Sequence, residues 1–94
     1  MPIVWLSLAV QDVLHIRTYL TDYDPQAAHS VALRIDQAIS NLAAIPNLGR
    51  PGRIFGTHEL VIGGTPYLAI YRVQNSRVEI LRILQGRQTF PELL

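Results

Sequence analysis

The 94-residue sequence has no cysteine and no lysine, one methionine and one tryptophan. Without cysteine there is no disulfide and no zinc–thiolate centre, and the chain is indifferent to the redox state of its compartment. With lysine missing too, the candidate nucleophiles shrink to serine, threonine and tyrosine. Charge is also sparse: 16% of residues are charged and the formal net charge is +1. That balance is too weak to argue for nucleic-acid binding by itself. No apolar run is long enough to span a bilayer, and no basic segment precedes the N-terminal apolar stretch as in a secretory signal. A cytoplasmic protein with no membrane partner is the expectation.

What is present is apolar. Hydrophobic residues make up 49% of a chain that, at this length, forms one domain over residues 1–94. Such a small domain buries one modest core, so apolar surface is left over for a partner. The charge is unevenly placed. Residues 1–49 carry two arginines against four aspartates, a balance of −2; residues 50–94 carry six arginines against three glutamates, a balance of +3. An all-arginine set of cations is either a coding bias or a supply of planar forks suited to carboxylate and phosphate.

Residues 3–7, "IVWLS", read as a first strand. From Leu8 to Tyr23 the period turns helical, with Ala9, Val13, Ile16 and Leu20 on one face and Asp12 and Arg17 off it. Asp24 suits a helix cap and Pro25 a first helical position. A second stripe follows at Ala28, Val31, Ala32, Ile35, Ala38, Ile39 and Leu42. Leu33 lies nearly opposite it, either as an ordinary exposed leucine or as a contact. Proline and glycine make 45–57 a loop, and strands follow at about 58–62, 67–73 and 77–85. The order β-α-α-β-β-β predicts an α+β fold, a helical hairpin on one side of a small, mainly antiparallel sheet.

A two-residue turn at Asn75-Ser76 would set Arg72 opposite Glu79. One face of the hairpin then carries Leu68, Ile70, Leu81 and Ile83. The other carries Tyr67, Ala69, Tyr71, Val73, Val78, Ile80 and Leu84. Both faces are apolar, whereas a half-solvated sheet shows one polar face. The helices can cover only one, so a partner chain is expected on the other.

Chemical groups are few. His15 and His29 lie on different helices near polar faces. His58 and Glu59 are strand neighbours and point to opposite sides, so they form no dyad. Asp22 and Asp24 flank a helix boundary. No spacing reads as a metal-ligand set, and "GRPGR" lacks the strand-to-helix context of a phosphate loop. No catalytic residue, metal or cofactor is expected.

The segments "VWLSLAVQDVLHIRTYL", "GRPGR", "GTHELVI", "PYLAIYRV" and "VEILRILQGRQTFP", in this order, resemble the ParE/RelE superfamily of type II toxin–antitoxin toxins, in particular its ParE-like branch. The resemblance implies the fold order above, a cognate antitoxin as partner and a plasmid-stabilisation type of role. RelE-like members cleave messenger RNA on the ribosome; ParE-like members poison DNA gyrase. Ribonuclease members set an arginine after the tyrosine of the penultimate strand, where this chain has Leu68 after Tyr67. Many relatives have histidine before "GRQ", where this chain has Gln85, and His58 stands in "GTHEL" for a commoner arginine. RNA cleavage needs groups that move protons, which Leu68, Gln85, Gln88 and Leu94 cannot do. The resemblance therefore implies a gyrase-binding toxin, with a ribosome-dependent endoribonuclease or a degenerate, non-toxic module as alternatives. Target-binding candidates are Arg72, Arg82 and Arg87, then Arg50, Arg53 and His58. Simpler roles are a cross-strand pair with Glu79 for Arg72, a stem on the sheet with a solvated head for Arg82, and a solvated turn for Arg87. Antitoxin-binding candidates are Leu68, Ile70, Leu81, Ile83 and Leu33.

Overall fold

Asp24 and Pro25 divide the helical half of the chain. In a computed structural model, which describes residues 1–87, strand β1 (Ile3–Trp5) leads into helix α1 (Ser7–Tyr23), and helix α2 (Pro25–Asn41) begins after one residue. Asp24 is extended, and its Oδ1 accepts the amide N–H groups of Gln26 and Ala27 at 3.1 and 3.3 Å. Two of the donors that any helix start leaves unpaired are satisfied this way. Neither helix is long and apolar enough to cross a membrane.

The expected α+β order is what the structure shows. Strands β3 (His58–Val61), β4 (Tyr67–Gln74) and β5 (Arg77–Gln85) run antiparallel, β1 joins β5 in parallel, and the sheet order is β1-β5-β4-β3-β2. The additional element β2 (Arg50–Pro51) lies within the segment expected to be loop and pairs with β3. Two residues give too little pattern to be read as a strand. The helices cover one sheet face, where Ala9, Ile35, Ile39 and Leu42 meet Tyr67, Ala69, Tyr71, Val78, Ile80 and Ile83 in the main core.

The β4–β5 hairpin turns at Asn75 and Ser76, with φ of 55° and 58°. Two positive φ values belong to the tight turn whose twist matches the flanking strands. Arg72 stands opposite Glu79 as expected, but the register shifts at Ile70/Tyr71: Ile70 faces Arg82 while Tyr71 faces Ile80. Leu81 is thus an extra residue, and everything beyond it changes side. Ile83 joins the helix-facing core. Leu84 takes the place expected for Ile83, beside Leu68, Ile70 and Leu81 on the second face. This corrects the face assignment of Ile83.

The bulge leaves the far edge of β5 open, because β1 pairs only with Val78–Ile80. Asp12 of α1 fills the gap. Its Oδ2 accepts the Ile83 N–H at 3.0 Å, and its two oxygens take the Arg82 fork at 2.8 and 3.0 Å. Arg82 therefore does not hold its head in water; its side chain is 18% exposed. The hydrogen bond to Asp12 raises its pKa further. Replacing Asp12 by alanine strands both Arg82 and the Ile83 N–H, and unfolding measurements should show a loss of about 2–4 kcal/mol. Unchanged stability and unchanged amide protection at Ile83 would show that α1 is held otherwise.

Candidate functional site

On the face of the sheet away from the helices, two carboxylates are covered although no helix lies over them. Glu59 of β3 stands opposite Ile70, and Glu79 of β5 stands opposite Arg72. The two are 3% and 1% exposed. Charge cannot be covered without partners, and each glutamate has two. Glu59 accepts Arg50 Nη2 at 3.2 Å and the Arg53 amide at 2.9 Å, with Arg53 Nε at 3.5 Å. Glu79 accepts Arg72 Nε at 2.5 Å and Arg77 Nε at 2.7 Å, with Arg77 Nη2 2.6 Å away in the ion pair. The carboxylates are roofed by guanidinium groups, not sunk among core side chains. Each unit of one glutamate and two arginines keeps a net positive charge.

The acidities follow from these contacts. Burial pushes the Glu59 carboxyl up, but the Arg53 amide, the Arg50 hydrogen bond and the two positive charges outweigh it and leave it below the ordinary 4.5. Glu79 is also lowered, first by the Arg72 hydrogen bond and then by Arg77, against a smaller effect of burial. Both stay ionised at neutral pH.

The loop that presents Arg50 and Arg53 is fastened from the helix side. Tyr71 is fully buried, and its hydroxyl donates to the Pro46 carbonyl at 2.8 Å and accepts the Gly49 N–H at 2.9 Å. Burial raises its pKa, only partly offset by the Gly49 amide. A side chain at Gly49 would sit 2.8 Å from the Tyr71 hydroxyl and from the Glu59 carbonyl, so glycine is required by close approach. His58 stacks on Tyr71 with ring centroids 5.2 Å apart, and its Nδ1 is buried without a hydrogen-bond partner. Residues 52–57 form a tight loop, with Gly52 N–H on the Thr57 carbonyl and Thr57 N–H on that of Ile54. At its tip Phe55 is fully exposed.

The expected site residues thus divide. Arg50, Arg53 and Arg72 come together on one face, joined by Arg77, which the sequence reading passed over. Their side chains are 57%, 52%, 36% and 42% exposed. Arg82 is taken by Asp12, and His58 lies against Tyr71 on the helix side. Arg87 is exposed in the turn after β5, beside Pro66 and Gly86. Gln88 and the tail lie outside the described residues. Of the apolar candidates, Leu33 is exposed, while Leu68, Ile70 and Leu81 are 3%, 0% and 5% exposed. The second face therefore does not wait for a partner to cover it. Its apolar half packs with Leu84 and Leu6, and its other half is the arginine–glutamate cluster.

Residues 3–90 match the family model described as the ParE toxin of the type II toxin–antitoxin system, parDE. The protein Y4kP of Sinorhizobium fredii is 40% identical over 90 residues, covering 96% of this chain and 93% of that protein. Toxin RelE2 of Caulobacter vibrioides is 37% identical over 81 residues, covering 86% and 90%. Among solved structures, the chromosomal ParDE system of P. aeruginosa superposes with a TM-score of 0.85 at 26% identity, over 90% of this chain and 95% of that one. A chain of the toxin–antitoxin complex RelBE2 of Mycobacterium tuberculosis shares the fold, with a TM-score of 0.59 at 22% identity over 93% and 92%. The chain belongs to the ParE toxin family of type II toxin–antitoxin systems.

Proposed function

We propose that this protein is a toxin that acts by binding, that DNA gyrase is its target, and that the arginine-bearing sheet face meets the target. The observation that carries the reading is the state of the groups on that face. A general acid or base needs a proton to move near neutral pH. Glu59 and Glu79 are held ionised and have no proton to give, and the oxygens with which they would take one already face two arginines each. Tyr71 is buried, with its hydroxyl committed to Pro46 and Gly49. The ParE description of the family and the close superposition on a ParDE protein support gyrase. A RelE-type endoribonuclease is the second reading, favoured by the 37% identity to toxin RelE2.

The partner that neutralises the toxin is proposed to be a cognate antitoxin, as in the ParDE and RelBE2 systems. Its place on this chain follows from the exposed apolar residues. Val10 and Leu14 of α1 are 43% and 53% exposed, and with Trp5 and Val13 they line an apolar hollow of about 190 Å³. An apolar segment that orders on binding would fill it.

Three measurements test these statements. In a purified supercoiling assay the protein should block gyrase and stabilise cleaved DNA while leaving transcripts intact in a reconstituted translation mix. Cut transcripts with untouched gyrase would establish the ribonuclease instead, and neither effect would leave a non-toxic module. A carboxyl NMR titration should place the midpoints of Glu59 and Glu79 below 4.5. Because both are lowered on folding, the stability they contribute is full above the unfolded value and lost as pH falls through the folded ones. A midpoint near neutrality would return Glu59 or Glu79 as a candidate general acid. Finally, amide exchange with and without antitoxin should show new protection in residues 8–16; unchanged exchange there would remove α1 from the interface.

A further inference from the structure

We propose that the four guanidinium groups of Arg50, Arg53, Arg72 and Arg77, together with Phe55, form a binding site for single-stranded nucleic acid. The inference builds on the reading that this face meets the target, and it names the chemistry that the face recognises.

The first support is the cost of the arrangement. Taking a carboxylate out of water costs much of what its ion pairs return. Two covered glutamates on one sheet face are thus a poor means of gaining stability. What they do is fix the arginines. Among the described residues, Arg50 donates Nη2 to its glutamate, Arg72 donates Nε, and Arg77 donates Nε with Nη2 in ion-pair contact. A guanidinium has five N–H groups, so donors remain on these three heads, which are already held in place. Binding through pre-set forks loses little side-chain entropy.

The second support is spacing. Glu59 and Glu79 lie two strands apart, and their partners Ile70 and Arg72 are two residues apart on β4. Sheet geometry separates them by about 12 Å. Forks so spaced reach separate phosphates along a strand, not one anion.

The third is Phe55. A fully exposed aromatic side chain, in the loop that also carries Arg53, buries no apolar surface of its own. Cationic groups that track a backbone, with an aromatic ring on which a base stacks, are the recurring platform for single strands. In a duplex the bases are stacked already and offer no face to Phe55, so a single or unwound strand fits better.

The test is fluorescence anisotropy of the purified full-length chain with a labelled 12-nucleotide single-stranded DNA, the same sequence as RNA, and the matching duplex, across a salt series. It contains neither gyrase nor ribosome, so its failure is separate from that of the functional reading. Single strands should bind more tightly than duplex, with log K against log salt falling at a slope of about −2 to −3, from three to four contacts at ~0.7 each. Equal binding of DNA and RNA would assign recognition to backbone and bases; a preference for RNA would add the 2′-hydroxyl. Both support the site. Arg53→Gln with Arg77→Gln leaves each glutamate one arginine and should flatten the slope by about 1.4. Phe55→Ala, at a fully exposed side chain, should weaken single-strand binding about tenfold with the slope unchanged. Arg17→Gln on α1 should change nothing. Absence of binding at low salt, a duplex preference, or affinity indifferent to Phe55→Ala would overturn the proposal. The last variant decides the matter even if the arginine pair proves needed for folding.

Discussion

A carboxylate withdrawn from water must have cations beside it, and on this small sheet that requirement organises an entire face. Glu59 and Glu79 together draw four of the eight arginines into fixed places. The face is thereby divided. One half is leucine and isoleucine packed with Leu6, and the other is a roof of half-exposed guanidinium groups. A sheet covered by helices on one side normally shows water-facing polar side chains on the other. Here the polar side chains are paired before they reach the solvent, so the cationic heads have defined positions and not merely a shared sign.

The rest of the chain serves to hold that face in register. A bulge at Leu81 turns the phase of β5, which puts Ile83 into the main core and Arg82 within reach of Asp12. Asp12 then acts as a missing strand for the open edge and as an anchor for α1. On the other side, Tyr71 spans from the core to the loop before β2 and pins it through Pro46 and Gly49. Arg50 pairs with Glu59 only because this loop lies close against β3. Loss of Tyr71 would thus reach the arginine face although Tyr71 itself points to the helices.

Much of this architecture was legible in the sequence. The apolar stripe of α2, the Asp24-Pro25 boundary and the Asn75-Ser76 turn each announce themselves through periodicity or turn chemistry. The opposition of Arg72 and Glu79 follows from counting outward from that turn. What escaped is what depends on non-local geometry. A bulge leaves no mark in an alternating run, so Ile83 and Leu84 exchange faces unannounced. Asp12 looks like a solvated residue off a helical stripe until β5 is placed beside it. Arg77 belonged to a turn flank by position, and only the covered Glu79 reveals its use. Phe55 reads as an apolar loop residue, which in most loops is tucked under; its exposure is a fact of folding, not of pattern.

The fold cannot choose between the two activities, since chains named ParE and RelE share it. The decision lies with side chains, and here their arrangement favours holding over reacting. An arginine that stabilises charge in a reaction works beside a group that gives or takes a proton. The carboxylates beside these arginines have no proton to give near neutral pH, and their oxygens are taken up by the ion pairs. The same pairing that disables them as acids makes the arginines rigid. A surface whose forks are held in place beforehand gains affinity from what it need not immobilise on binding. Such a surface is suited to holding a target in one state, which is what the proposed binding mode requires of it.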